Sequence, residues 1–292
     1  NRLYYKLTLE VTMRDNQKRM SAAADPAPQA SESNASALNF ATPTEFVDLP
    51  SKGAYYPEGH PLHGQNSIEI KFMTARDEDI LTSPTLLKKG VAIDKFLQNI
   101  IVNRAINVDT ILSGDKNAIL VASRINGFGA EYITKVSCPA CQNIAENKFD
   151  LSEVLMYGGD DLGEHDIQQT DTGTFMVTLP KTKAIAEVRL LTSKDENELA
   201  MAMQRKKKKK MAETNLTDQL RKIIVTINGV DDQRLLSQFV SNLPAFDSRY
   251  LRSAYLKIVP GMDMKQHFSC ESCGYEQEVD IPMTVDFFWS KQ

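Results

Sequence analysis

Two C-x-x-C pairs, Cys138-Pro139-Ala140-Cys141 and Cys270-Glu271-Ser272-Cys273, hold every cysteine in this chain. Four thiolates can close a tetrahedral shell around one zinc ion at Zn–S distances near ~2.3 Å. The two pairs are separated by more than a hundred residues, whereas a compact zinc ribbon separates them by roughly 15–20. If all four bind one ion, the intervening chain must form a folded body that returns the second pair to the first. The fold is therefore constrained by where the two turns have to meet.

An internal repeat accounts for the long separation. Val47-Asp48-Leu49-Pro50 matches Val177-Thr178-Leu179-Pro180, and the stretch from Ile68 through Thr74 to Glu78 matches that from Ala186 through Thr192 to Glu196. Leu97-Gln98-Asn99-Ile100-Ile101-Val102 matches Leu220-Arg221-Lys222-Ile223-Ile224-Val225. Asp115 precedes Cys138 by 23 positions, and Asp247 precedes Cys270 by the same 23. A period this long is not that of a solenoid. It points to an internally duplicated α+β unit in which each copy contributes half of a shared zinc-ribbon-like site of four cysteines. The expected layout is a disordered N-terminal extension over 1–45, a first repeat over 46–151, a linker over 152–174 and a second repeat over 175–292. Met20 is a candidate natural start, which would make 1–19 an upstream extension. Residues 21–43 are rich in Ala, Ser, Pro and Asn and offer little to bury.

Residue periodicity supplies the elements. Strands are expected over 68–72, 175–179 and 185–191. Strands are also expected on both sides of each cysteine turn, at 133–137, 148–151, 266–269 and 276–281. Helices are expected over 93–106, 115–125, 216–227, 232–242 and 247–258. The stretch 51–66 reads as a loop inserted into the first repeat. Thr74 with Asp77 and Thr192 with Asp195 are capping boxes at helix starts, and Glu78 and Glu196 add negative charge at the positive helix end. Capping accounts for these carboxylates without any catalytic role.

A closed shell of four cysteines leaves no open coordination position, so zinc held by Cys138, Cys141, Cys270 and Cys273 is expected to be structural. Disulfides within each pair and an iron–sulfur cluster are the alternatives, although the chain has no ferredoxin spacing. At 42% hydrophobic and 25% charged, the composition is that of a soluble globular protein. No apolar run reaches the roughly 20 residues needed to cross a membrane, and no signal-peptide core is found. Paired cysteines in such a chain suit a reducing cytoplasm.

The net charge of −4 gives no global basic field for nucleic acid. The basic run at 205–210 lies at the end of the helix that starts near Asp195, where a solvated helix end or loop explains it and contact with nucleic acid or an acidic partner surface is the other reading. His60, His63, His165 and His267 form no ligand pair, and His60 and His63 share an exposed loop. Phosphate loops, nucleophile elbows and catalytic Cys/His patterns are missing from the sequence, so neither an enzyme nor a small-molecule substrate is indicated. The C-terminal Asp286-Phe287-Phe288-Trp289 either packs on the body or anchors a partner.

Seven motifs stand out along the chain: V-D-L-P-S-K-G from Val47, M-T-A-R-D-E-D-I-L from Met73, C-P-A-C from Cys138, L-L-T-S-K-D-E from Leu190, D-S-R-Y-L-R from Asp247, C-E-S-C-G from Cys270 and the D-F-F-W tail. Taken together, they resemble the T-even-type bacteriophage baseplate hub proteins. The resemblance spans 46–289. It implies a non-enzymatic component or assembly factor of a contractile-tail hub, with other hub and tail proteins as partners, in the virion tail baseplate or in the host cytoplasm during assembly. The competing class is a zinc-ribbon nucleic-acid-binding protein, which the acidic balance disfavours.

Overall fold

In both halves the V-x-L-P motif ends a strand and turns the chain back into an antiparallel partner. The computed structural model describes residues 42–159, 166–212, 214–281 and 285–288. Most of the expected N-terminal extension, including Met20, lies outside the described residues, as do His165 and Trp289. From Thr42 onward the chain forms one unit of mixed helices and antiparallel strands, an α+β fold.

The first stretch runs β1 (Thr44–Asp48), β2 (Ser67–Lys71), α1 (Ala75–Thr82), α2 (Pro84–Lys89), α3 (Ala92–Ile100), α4 (Ser113–Phe128), β3 (Glu131–Ser137) and β4 (Ile144–Asp150). The second runs β5 (Leu155–Tyr157), β6 (Ile167–Gln169), β7 (Phe175–Thr178), β8 (Ile185–Val188), α5 (Ser193–Lys208), α6 (Asn215–Ile223) and β9 (Ile224–Ile227). It continues through α7 (Gln233–Asn242), α8 (Ala245–Ile258), β10 (Gly261–Asp263), β11 (Lys265–Ser269) and β12 (Glu276–Asp280). Short 3-10 turns cover Val108–Thr110, Leu151–Glu153 and Val285–Phe288. β6, β7, β8 and β9 make a four-stranded sheet in that order, and the other strands pair as β1–β2, β3–β4, β5–β10 and β11–β12.

Positions paired by the sequence landmarks make the same contacts. Leu49 N–H donates to Asn66 and Leu179 N–H donates to Ala184, both at 2.8 Å. Asp77 accepts from its Thr74 cap at 2.6 Å, and Asp195 accepts from Thr192 at 3.0 Å. The other oxygen of each capping carboxylate meets a matched position of a later helix: Asn99 on α3 donates to Asp77 at 2.6 Å, and Lys222 on α6 lies 3.7 Å from Asp195. Asp115, in the first turn of α4, accepts from Ser51 N–H at 2.9 Å. Asp247, in the first turn of α8, accepts from the matched Lys181 N–H at 2.8 Å.

These last two carboxylates have different surroundings. Burial pushes the Asp115 carboxyl above its usual range, even though Ser51 and Tyr56 donate to it. Burial also opposes charge on Asp247, but the Thr182 and Lys181 N–H groups outweigh it and hold that carboxyl low.

Several boundaries differ from the sequence reading. The helix expected over 216–227 stops at Ile223, and Ile224–Ile227 becomes a strand. The run Ile-Val-Thr-Ile is β-branched throughout, which favours a pleated surface, and β8 offers it a ladder through Val188↔Ile224. The helix expected over 93–106 likewise ends at Ile100, and Ile101 bridges Ile70, the position that matches Val188. Asn228-Gly229 is a hairpin turn with both residues at positive φ, not a helix stop. The stretch 152–174, expected to be a linker, carries β5 and β6. Helix α2 has no counterpart in the sequence reading. It starts with a proline at its first position and closes on Gly90 in the left-handed region.

One apolar cluster runs through both halves, from Val47 and Phe96 to Val188, Ile258 and Phe288. A separate small cluster holds Cys138, Phe268 and Cys270.

Candidate metal centre

Each cysteine pair caps a two-stranded hairpin, and the two hairpins have the same local wiring. Cys138 N–H donates to Asn143 O at 2.8 Å, and Gln142 N–H returns to Cys138 O at 2.9 Å. In the second hairpin, Cys270 N–H donates to Tyr275 O at 2.9 Å and Gly274 N–H returns to Cys270 O at 2.8 Å. The residue after the second cysteine is left-handed in both, Gln142 at φ 59° and Gly274 at φ 68°. A side chain at that φ costs about 1 kcal/mol, a cost that Gly274 avoids.

The hairpins face each other with their thiols interleaved. Cys138 Sγ lies 3.7 Å from Cys273 Sγ, and Cys141 Sγ lies 3.7 Å from Cys270 Sγ. All four sulfurs lie within 4.8 Å of one another. A regular tetrahedron with ~2.3 Å metal–sulfur bonds has edges of about 3.8 Å, so the short separations match a four-thiolate shell. They are far longer than the ~2.05 Å of an S–S bond, and all four cysteines are free. Each short pair joins one hairpin to the other. The first cysteine of each pair is buried and the second is exposed.

The thiols cannot all ionise unaided. The Cys141 and Ala140 N–H groups hold the Cys138 thiol down at about 7. At Cys273 the Tyr275 N–H acts in the same direction, but the neighbouring thiols and burial outweigh it and push this group up to about 12. Four thiolates at this spacing need a cation among them, which is the chemistry of a soft divalent metal.

Contacts around the centre fix how the hairpins approach. Asn143 donates to Ser272 Oγ at 2.7 Å, and the Gln266 side chain bonds both backbone groups of Asp150, with Asp150 N–H to Oε1 at 3.0 Å. Strand β5, which leaves the first hairpin, pairs with β10, which leads into the second. Gly114 lets α4 pack closely against the start of β10, since a Cβ there would sit 1.9 Å from Pro260 O. On the other side, Arg124 is 1% exposed and reaches Phe287 O at 3.0 Å, Gly129 O at 2.7 Å and Glu131 O at 3.0 Å. It ties the chain that leaves the second hairpin to the strand that enters the first. The equal Asp-to-Cys spacing marks Asp115 and Asp247, but no sequence signal singles out Arg124.

Other residues noted in the sequence lie elsewhere. His60 stacks on Tyr56 and bonds Thr110 Oγ1 at 2.8 Å, tying its loop to the Val108–Thr110 turn, and His63 bonds Tyr56 O at 2.6 Å within the loop. His267 sits exposed on β11 opposite Glu278. Phe287 and Phe288 are buried against Tyr132 and Phe96, which makes these two aromatics part of the core and not an exposed anchor. Among the described residues, the four cysteines are the one cluster with metal-ligand geometry. Among the described residues, no helix is long and apolar enough to cross a membrane.

A family model described as T4 bacteriophage base plate protein matches residues 43–289. No curated protein and no solved structure matches the chain.

Proposed function

The chain belongs to the T4 bacteriophage base plate protein family, and on that premise we propose that it is a non-enzymatic structural or assembly component of a contractile-tail baseplate hub. Its partners are the other hub and tail proteins, and it works by association and not by turning over a substrate. Cys138, Cys141, Cys270 and Cys273 hold one structural zinc, which cross-links the two hairpins and, having no open position, activates nothing. The interleaved 3.7 Å sulfur separations carry this reading of the metal.

The two repeats, 46–151 and 175–292, descend from one α+β unit. The matched contacts at Asp77 and Asp195, Asp115 and Asp247, and the two cysteine turns support this. Under that duplication the cysteine centre lies on a pseudo-two-fold axis, since Cys138–Cys273 and Cys270–Cys141 exchange under it.

Two experiments test the proposal. Elemental analysis of the purified chain should return one zinc per molecule, and a value near zero removes the metal. A phage with a disrupted copy should make heads but few complete tails. Normal tails with defective DNA replication or transcription would favour a nucleic-acid role instead.

A further inference from the structure

The end of α5 carries more positive charge than its fold uses. Residues 205–210 read Arg-Lys-Lys-Lys-Lys-Lys, and without them the chain has 28 basic against 38 acidic residues, or −10 in place of −4. Favourable interaction with the helix dipole accounts for cations within the last turn. It does not account for Lys209 and Lys210, which lie beyond the last helical residue, Lys208. One cation, Lys206, is tied down: its ammonium contacts Thr214 Oγ1 and the Asp218 carboxylate at the start of α6. Arg205 and Lys207 to Lys210 are exposed and make no ion pair among the described residues.

The tip is built, not frayed. Met211 N–H donates to Lys206 O at 3.0 Å and Lys210 N–H to Lys207 O at 3.2 Å, the paired bonds of a Schellman turn. In that turn the residue after the cap is left-handed, a position where glycine is usual because a side chain is strained there. Here it is Lys210, at φ 51°. The chain keeps a cation where the backbone favours glycine, and it clamps the turn to α6 through Lys206. The tip thus presents five unpaired cations on a fixed scaffold.

We propose that this tip is a docking element for an acidic surface on another baseplate protein. The proposal rests on the reading of the chain as a baseplate component and deepens it by naming the surface used. Charge complementarity defines the partner's chemistry: a carboxylate-rich face. Nucleic acid is disfavoured, because the exposed apolar residues beside the tip are Met203, Met211 and Leu216. None is an aromatic on which a base could stack. Flexible methionines beside a charged rim instead suit an adaptable protein contact.

The test uses the full chain supplied in trans to a phage lacking its own copy. Lys207, Lys208, Lys209 and Lys210 are all changed to alanine, and the variant's melting temperature is checked against the wild type. A photo-cross-linking residue at position 208 of the otherwise wild-type chain reports what the tip touches in assembling tails. Tail yield is expected to fall at least tenfold at unchanged melting temperature, and the adduct should map to an Asp/Glu-rich segment of a different baseplate protein. Wild-type tail yield from the tetra-alanine variant would overturn the proposal. So would an adduct with nucleic acid, an adduct with a second copy of this chain, or no adduct. If tails form normally with no copy supplied, the baseplate reading itself fails. If they require the chain but not its lysines, only the docking element fails.

Discussion

Replacing Cys270 with serine should uncouple the two hairpins without dismantling the rest of the chain. Cys270 is 3% exposed and its sulfur lies 3.7 Å from Cys141 Sγ, so the change removes one corner of the shell and one link between hairpins. A ligand present at a thousand times its dissociation constant stabilises the folded state by about 4 kcal/mol. In a domain of this size each 1 kcal/mol moves the melting temperature by roughly 2–4 °C, so a drop of about 8–16 °C is expected. The effect should be local first. Cys138, Cys270 and Phe268 form their own small cluster, apart from the apolar core that runs through both halves. Hydrogen exchange should therefore accelerate in β3, β4, β11 and β12 well before it does in α4 or α8. Chelation of the wild type should reproduce the pattern, and a chelator added to Cys270→Ser should do nothing more. A wild type insensitive to chelator, or a variant retaining full zinc and melting within about 2 °C of the wild type, would refute the reasoning.

Three further outcomes follow from other contacts. Arg124→Met leaves the buried Phe287 carbonyl and the part-buried Gly129 and Glu131 carbonyls without this donor and should cost about 1–3 kcal/mol, read in urea unfolding; an unchanged midpoint would show that the clamp on Phe287 is dispensable. At Asp195 burial raises the pKa, but the Arg189 and Thr192 hydrogen bonds outweigh it and hold the group at about 2, below its usual value of 3.8. The folded pKa is depressed, so the stability it brings is present above pH 4 and is lost as pH falls from about 4 to 2, by up to about 2 kcal/mol. Asp195→Asn should flatten stability over that window, and an unchanged acid limb would refute the assignment. Lys210→Gly relieves a left-handed side chain and should raise stability by about 1 kcal/mol, while removing one of five free cations leaves tail yield close to wild type; a lower melting temperature would mean that the turn differs from the one seen here.

Local chemistry was legible in the sequence and cross-chain chemistry was not. The capping boxes at Thr74 and Thr192 follow from residue types three apart, and α7 lies within a residue of its expected bounds because Asp232 caps it. The four cysteines were identifiable because C-x-x-C turns are self-contained. Periodicity misread 216–227, since Ile223 and Ile224 continue a helical stripe, and only the exposed edge of β8 turns the β-branched run into a strand. Strands β5 and β10, three residues each, have too little pattern to stand out, and their pairing exists only because the halves meet. Arg124 was missed for a similar reason. Its three acceptors lie at 129, 131 and 287, and two of them flank a turn that no sequence window joins to the third.

The cross-chain contacts explain how thiols 129 residues apart, Cys141 and Cys270, come within 3.7 Å. Each hairpin is held at its base by the other half: β5 leaves the first and pairs with β10 ahead of the second, while the turn after the second is bound through Arg124 to the strand that opens the first. Gln266 on β11 adds a bond to Asp150 at the foot of β4. None of these contacts involves sulfur, so the hairpins are oriented by groups other than the ligands. A metal that enters such a frame has little chain left to order, unlike in a small zinc finger, where binding and folding are one event. The metal-free protein should therefore keep the circular dichroism of its helices and rebind zinc without a large change in that signal. A helical signal that collapses on chelation and returns only with metal would mean that the ion creates the frame instead of closing it.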